Sequence, residues 1–357
     1  MILIYSDSQI IDFEWIPKIK FKHEYQTTHS INEYLQATAD IKIALIGYKI
    51  YCNYDTVLQE EFKFEDRIQL LSANSDYVFT WDSEIHPNFW ETWNQCNQDN
   101  VYWLMPGTVN DVFRKQVVPW QDWFKNCADL YKQLPDKLNQ LQPHKEKQKY
   151  FDALLGIKKP HRDFVYKNVL DNSLQDQFIM PYGGIFNDRD FYAQDYFLFE
   201  PDTEIKEPEP GTAGAVSYCG IHTSLSKVIH LDTYNTTAYS IIAETNYDNS
   251  FSFFTEKTAK PLIGKRLFVV FSGCQFLSNL RQLGFRTFDT IIDESYDAIE
   301  NNLQRWNMAF EQVKYLCQLP QKQILEQIKP IVDHNFEVIM HTNWTEYSVD
   351  RMSKIVD

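Results

Sequence analysis

The stretch Ser240-Ile-Ile-Ala-Glu-Thr-Asn246, followed by Phe253-Phe-Thr-Glu-Lys-Thr-Ala-Lys-Pro261 and then Arg266-Leu-Phe-Val-Val-Phe271, decides how this chain is read. Two short apolar runs, each closed by polar residues, flank a segment with helical character. Unbroken apolar runs of this length mark strands buried on both faces. Strand, helix and strand in that order imply a parallel sheet covered by helices. Thr255 is placed to cap the helix, and Glu256, Lys257 and Lys260 fall in its first turns.

The same rhythm extends to both sides. Tyr150–Leu155 and Phe178–Pro181 read as strands, His161–Leu170 and Gln275–Leu283 as helices, with Gly284 placed to end the latter. Ala298–Leu319 and Gln321–Asn335 are strongly helical. Before residue 145, Met1–Tyr5, Ile41–Gly47, Tyr77–Trp81 and Val101–Met105 read as strands, alternating with helix-like Ile31–Ala37, Thr56–Phe62 and Asn88–Cys96. The charged, proline-marked stretch Gln142–Lys149 reads as a linker. The expected organisation is an N-terminal α/β domain (1–145), a C-terminal α/β domain (146–319) and a helical extension (320–357). Two such domains facing across a cleft place the ligand at the carboxyl ends of their strands.

Length supports that count: 357 residues suit two domains. Net charge is −15, which disfavours DNA or other nucleic acid as a partner. The average conceals two opposite segments. His144–Lys167 holds seven bases against three acids, and 171–210 holds ten acids against two bases. Six dispersed cysteines form no C-x-x-C pair, so reduced thiols are expected. Met1–Asp7 reads as a first strand rather than a signal peptide, and no apolar run is long enough to span a membrane. A cytoplasmic location is therefore expected. Dinucleotide, P-loop and G-x-S-x-G motifs are absent, and the nine histidines show no ligand spacing. Asp188-Arg-Asp190 matches a D-x-D pattern, but it falls in the acidic segment, so no metal site is assigned.

Chemistry concentrates in two places. A capped helix start with Lys257 and Lys260 offers free N–H groups and positive charge to an anion, while Glu244, Asn246 and Glu256 can hold sugar hydroxyls. Diphosphate plus ribose needs both. A solvated capped helix with an ordinary Glu–Lys pair would read the same way. In Gly156-Ile-Lys-Lys-Pro-His-Arg-Asp163, Arg162 stands in the first turn of a helix, against the dipole, a position suited to phosphate recognition.

Thr-Glu-Lys-Thr-x-Lys-Pro, preceded by a strand ending in Glu-Thr-Asn and followed by a Phe-Val-Val strand, resembles the donor-binding half of fucosyltransferase-type glycosyltransferases with the GT-B fold. The resemblance covers about residues 150–306. It implies an architecture of two Rossmann-like domains and a nucleotide-sugar donor, with no further cofactor. In that family a Glu-Lys pair after Thr contacts the donor and an early Arg of the C-terminal domain contacts the phosphates. This carries over to Glu256, Lys257 and Arg162. Phe285-Arg-Thr-Phe-Asp-Thr-Ile-Ile-Asp-Glu-Ser-Tyr-Asp297 is similar to a segment of phage and marine viral proteins that share this half; for a viral protein, the expected location is the host cytoplasm. Leu262-Ile-Gly-Lys-Arg266 is one position tighter than the family's usual spacing.

The resemblance implies metal-independent, inverting transfer of a sugar to a glycan or other hydroxyl acceptor, with a general base supplied by the N-terminal domain. Tyr77-Val-Phe-Thr-Trp-Asp-Ser-Glu-Ile-His86 ends a strand with three titratable residues. Glu84 resembles a strand-end Glu of the family and is the first choice; Asp82 and His86 follow, and Asp7 is a weaker candidate of the same kind. Two alternatives stand beside this reading. One is a catalytically degenerate protein that binds nucleotide sugars or serves in assembly. The other is a viral enzyme whose acceptor is a hydroxymethylated DNA base, against which the net charge weighs.

Overall fold

The computed structural model describes residues 1–6, 24–47, 64–81, 98–109, 116–182, 200–205 and 215–356. The predicted helices at 56–62 and 88–96 lie outside them. The chain divides into two compact units, Met1–Asp122 with Asn343–Asp357, and Trp123–Thr342.

The first unit is built on six parallel strands: β1 (Ile2–Ser6), β2 (Tyr25–Thr28), β3 (Ile41–Gly47), β4 (Tyr77–Trp81), β5 (Val101–Met105) and, beyond the short β6 (Gly107–Val109), β7 (Val117–Pro119). Their order is β2-β1-β3-β4-β5-β7. The central strands are apolar along their length because both faces are covered. On one face Ile2, Ile4, Ile43, Leu45, Phe79 and Leu104 pack against Val349, Met352 and Val356 of the last helix, Trp344–Val356. On the other, Tyr5 meets Tyr34 of α1 (Ile31–Gln36), with ring centres 5.5 Å apart. Helix α2 (Phe64–Ser72) packs against β4 and buries Ile68 and Leu71. Strand β2 is polar and mostly exposed, as an edge strand can be, and its sequence carries no strand signal.

The second unit opens with α3 (Asp122–Lys132), whose Phe124, Cys127, Ala128, Leu130 and Tyr131 are buried, and the short α4 (Pro135–Asn139). Its sheet comprises β8 (Lys149–Ala153), β9 (Phe178–Ile179), β13 (Thr237–Ala243) and β15 (Phe268–Phe271), all parallel in the order β15-β13-β8-β9. An antiparallel trio of β10 (Thr203–Ile205), β11 (Ala215–Tyr218) and β12 (Ile221–Ser224) comes between β9 and β13 in the chain. It is followed by α6 (Leu231–Thr236), and β14 (Phe251–Phe253) lies between β13 and β15.

Two connections define the sheet's polarity. From β8 the chain passes through α5 (Pro160–Asp171) to β9 on one side. From β13 it passes through α7 (Glu256–Ile263) to β15 on the other. Right-handed crossovers in opposite directions put the two helices on opposite faces. Accordingly α5 packs against α9 (Asn302–Gln318) and α7 against α10 (Gln321–His341). The carboxyl ends of β8 and β13 form the topological switch point, where open α/β sheets bind ligands. Helix α8 (Phe276–Gln282) ends as predicted: Gly284 has φ +94°, a left-handed position that glycine adopts without strain. Two parallel α/β sheets followed by C-terminal helices give a GT-B-like pair of Rossmann-like units. Among the described residues no helix is long and apolar enough to cross a membrane. Cys127, Cys219, Cys274 and Cys317 are free thiols.

A buried ion pair fixes the sheet. Arg266 donates to Asp152 Oδ1 at 2.7 Å, to the Ser240 and Thr237 hydroxyls at 2.9 and 2.8 Å, and to the carbonyls of Tyr234, Thr237 and Tyr239. Its plane lies over the Tyr234 ring. One guanidinium thereby ties β8, β13 and the entry to β15, all its donors satisfied. Removing it leaves Asp152 as an unpaired buried charge. Arg266→Met is expected to lower stability to urea by about 3–5 kcal/mol, whereas Lys322→Met, at an exposed position, should change it by no more than about 0.5 kcal/mol.

Candidate functional site

Of the residues that sequence reading singled out in the second unit, Arg162, Glu244, Asn246, Thr255, Glu256 and Lys257 gather at the end of β13. Glu244 follows the strand directly and is fully buried. Its carboxylate accepts four hydrogen bonds: from the Thr245 N–H (2.9 Å), the Thr255 N–H (3.0 Å), the Thr255 hydroxyl (2.7 Å) and the Thr258 hydroxyl (2.6 Å). A carboxylate at a helix start is favoured by the dipole and takes up donors that the helix leaves orphaned. Glu244 therefore pins the amino end of α7 to the strand and has no remaining demand for a ligand hydroxyl. Thr255 caps α7, as the sequence predicts, accepting from the Lys257 N–H at 3.3 Å. Asn246 closes a turn, its Oδ1 accepting from the Asp248 N–H at 2.8 Å, while its carbonyl takes the Ser272 hydroxyl.

Helix α5 approaches the same segment from the other face. Pro160 occupies its first turn, where a missing N–H costs nothing, and His161 and Arg162 follow, both buried. Arg162 donates to the carbonyls of Ile157 (2.9 Å), Ala243 (3.4 Å) and Glu244 (3.2 Å). The Lys159 ammonium donates to the Thr245 carbonyl. His161 Nε2 lies 2.7 Å from the Glu244 carbonyl and so carries the hydrogen, leaving Nδ1 without a hydrogen-bond partner among the described residues. Burial drives the His161 pKa well below its ordinary value; the Arg162 charge adds to this and the Glu244 carbonyl opposes it. From α7, Lys257 reaches the Thr245 hydroxyl at 3.2 Å and Glu256 at 2.6 Å. The three-residue segment Ala243–Thr245 thus receives Lys159, His161, Arg162 and Lys257.

The Glu256–Lys257 pair is enclosed on its carboxylate side, while Lys257 is half-buried. Glu256 is buried, which pushes its carboxyl up, but Lys257 and Lys260 outweigh this and hold it below the usual range. Lys260 is 9% exposed, and burial lowers its pKa while Glu256 opposes that shift. Beyond β15, Gly273 permits a close approach. A Cβ there would stand 2.1 Å from the Asp248 carbonyl oxygen, and Asn249 Oδ1 accepts from the Cys274 N–H. Main chain from two loops is consequently packed tightly beside the site.

The segment 285–297 is an internal brace. Glu294 accepts from the Thr287 hydroxyl, Arg281 and the Phe288 N–H, and Asp297 accepts from the Leu277 and Ser278 N–H groups. Arg305, which sequence reading did not single out, is buried and donates to the Ser272 carbonyl at 2.9 Å, holding the loop after β15. Only a polar side chain within an apolar helical face hinted at it. Asp7, Asp82, Glu84, His86, Asp188 and Asp190 lie outside the described residues. Among the described residues no group of three or more His, Cys, Asp or Glu side chains could hold a metal ion. No family profile, curated protein or solved structure matches the chain.

Two outcomes follow from this geometry. Glu244→Gln puts an amide donor against groups that are themselves donors, and should lower stability to urea by about 1.5–3 kcal/mol. His161 gives a pH signature. In the unfolded chain it gains a proton near pH 6.5, whereas the fold resists protonation, so the unfolded state binds more protons below that value. Stability should fall as pH drops below about 6.5. His161→Gln should show a shallower decline in urea midpoint over that range than the parent protein.

Proposed function

We propose that this protein is a glycosyltransferase of the fucosyltransferase type, akin to phage and marine viral proteins that share its C-terminal half, that moves a sugar from a nucleotide-sugar donor to a hydroxyl acceptor. One observation carries the reading: Lys159, Arg162 and Lys257 converge on Ala243–Thr245 at the switch point, beside the amino end of α7. A helix dipole and several cations in one place favour a diphosphate.

In this reading Arg162 and Lys257 neutralise the charge that builds on the diphosphate as it leaves, with Lys159 and Lys260 adding to the field. Charge compensation by side chains suits a metal-independent reaction. Glu256, held ionised by its lysines, orients the donor through ribose or sugar hydroxyls. Glu244 and Thr255 act as positioning residues that set the angle of α7, and Asn246 shapes the rim. A general base from the first unit, Glu84 or Asp82, would take the acceptor's proton for inverting transfer, and a glycan is the acceptor class that best suits the charge of the chain.

A thermal-shift panel of nucleotide sugars, followed by calorimetry on any hit and an assay of sugar release, tests this. At least one nucleoside diphosphate should raise Tm, and Lys257→Met should weaken it at least about tenfold, the size of one lost charge-assisted hydrogen bond. No shift with any nucleotide would overturn the proposal. Binding without turnover in the presence of acceptors would leave a nucleotide-sugar-binding protein instead.

A further inference from the structure

The Glu244 carbonyl is served twice. Its oxygen accepts from His161 Nε2 at 2.7 Å and from Arg162 Nη2 at 3.2 Å. A buried carbonyl must keep one donor, and a second is not required. The other ring nitrogen of His161 argues against a purely structural histidine. The side chain is fully buried beside Tyr247 and Trp306, with ring centres 5.1 and 6.0 Å away, yet Nδ1 has no hydrogen-bond partner among the described residues. A leucine would fill such a place without stranding a nitrogen. What the imidazole adds is one N–H, on a carbonyl that already holds an arginine.

The two donors are held unequally. Arg162 makes one short bond, to the Ile157 carbonyl at 2.9 Å, and two long ones, to Ala243 at 3.4 Å and Glu244 at 3.2 Å. A phosphate oxygen offers the guanidinium a stronger, charge-assisted bond than either long one. The His161 ring, by contrast, is packed between aromatic neighbours and its bond is short. We infer that His161 is a positioning residue that keeps the Glu244 carbonyl paired when Arg162 Nη2 turns from it to a bound diphosphate. Without His161 that turn would strand the carbonyl. The segment Ala243–Thr245, to which Lys159 and Lys257 are also tied, would then follow the arginine. This role rests on Arg162 being a diphosphate ligand.

Calorimetry with inorganic pyrophosphate, beside thermal unfolding of the free protein, tests it on the full chain. His161→Leu removes the donor and keeps an apolar side chain, whereas His161→Gln places an amide N–H where Nε2 stood. Arg162 still covers the carbonyl in the free protein, so Tm of the Leu variant should stay within about 4 °C of the parent. Its pyrophosphate affinity should fall at least about tenfold, the scale of one stranded carbonyl, and His161→Gln should return it to within about threefold of the parent. Unchanged affinity in the Leu variant, an equal loss in both variants, or a larger fall in Tm that Gln repairs would each overturn the role and leave the diphosphate reading intact. If the Leu variant does not fold, nitrogen-15 NMR of the parent protein decides. Pyrophosphate should then move the Arg162 side-chain signals, assigned by their loss in Arg162→Met, and leave the His161 Nε2–H signal in place. Unmoved Arg162 signals or a lost Nε2–H signal would overturn it. A nucleoside diphosphate replaces pyrophosphate in these titrations if only the nucleotide binds; if neither binds the parent protein, both readings fall.

Discussion

The four hydrogen bonds to the Glu244 carboxylate are the constraint on which the second unit's working edge depends. They join the end of the central strand to the first turn of α7 through Thr255 and Thr258. Once that turn is fixed, Lys257 can reach Thr245, and Glu256 is drawn into the interior beside two lysines. The opposite side of the same segment presents carbonyls, and these gather Lys159, His161 and Arg162. A single stretch of main chain is therefore read from one side by its side-chain carboxylate and from the other by its carbonyl oxygens. Such an arrangement keeps several cations within reach of one another at a modest cost, because each has an oxygen partner.

Far from that edge, Arg266 does the corresponding work inside the sheet. Its six hydrogen bonds to Asp152, Ser240, Thr237 and three carbonyls join strands that would otherwise meet only through their ladders. The separation matters. One buried charge cluster holds the scaffold, and another lies at the switch point. Net charge over the whole chain says nothing of this, since the acidic average hides a cationic crown around Ala243–Thr245.

Much of the fold was legible because parallel strands buried on both faces leave unbroken apolar runs. Ile41–Gly47, Tyr77–Trp81 and Val101–Met105 are found where the sequence places them. Strand β2 was not legible: Tyr25–Thr28 is a polar edge strand with no periodicity to detect. Nor does anything in Trp344–Val356 announce that this helix covers the first sheet, since an apolar helical face does not name its partner. At the site, Thr255 as cap and Arg162 in a first helical turn follow from local rules. The deep burial of Glu256 and Lys260 does not, because a Glu–Lys pair at a helix start reads the same whether solvated or enclosed. Glu244 was seen as a strand-end acid, but its four donors come from positions up to fourteen residues away, and only the fold brings them together.

The proposed ligand at the carboxyl end of the second sheet is a nucleoside diphosphate. Hydrogen exchange of backbone amides, read by mass spectrometry with and without a saturating mixture of nucleoside diphosphates, tests it most directly. Slower exchange is expected in peptides covering 157–163 and 244–260, with the interior strand Phe268–Phe271 unchanged. Protection confined to the first unit, or none anywhere, would contradict it.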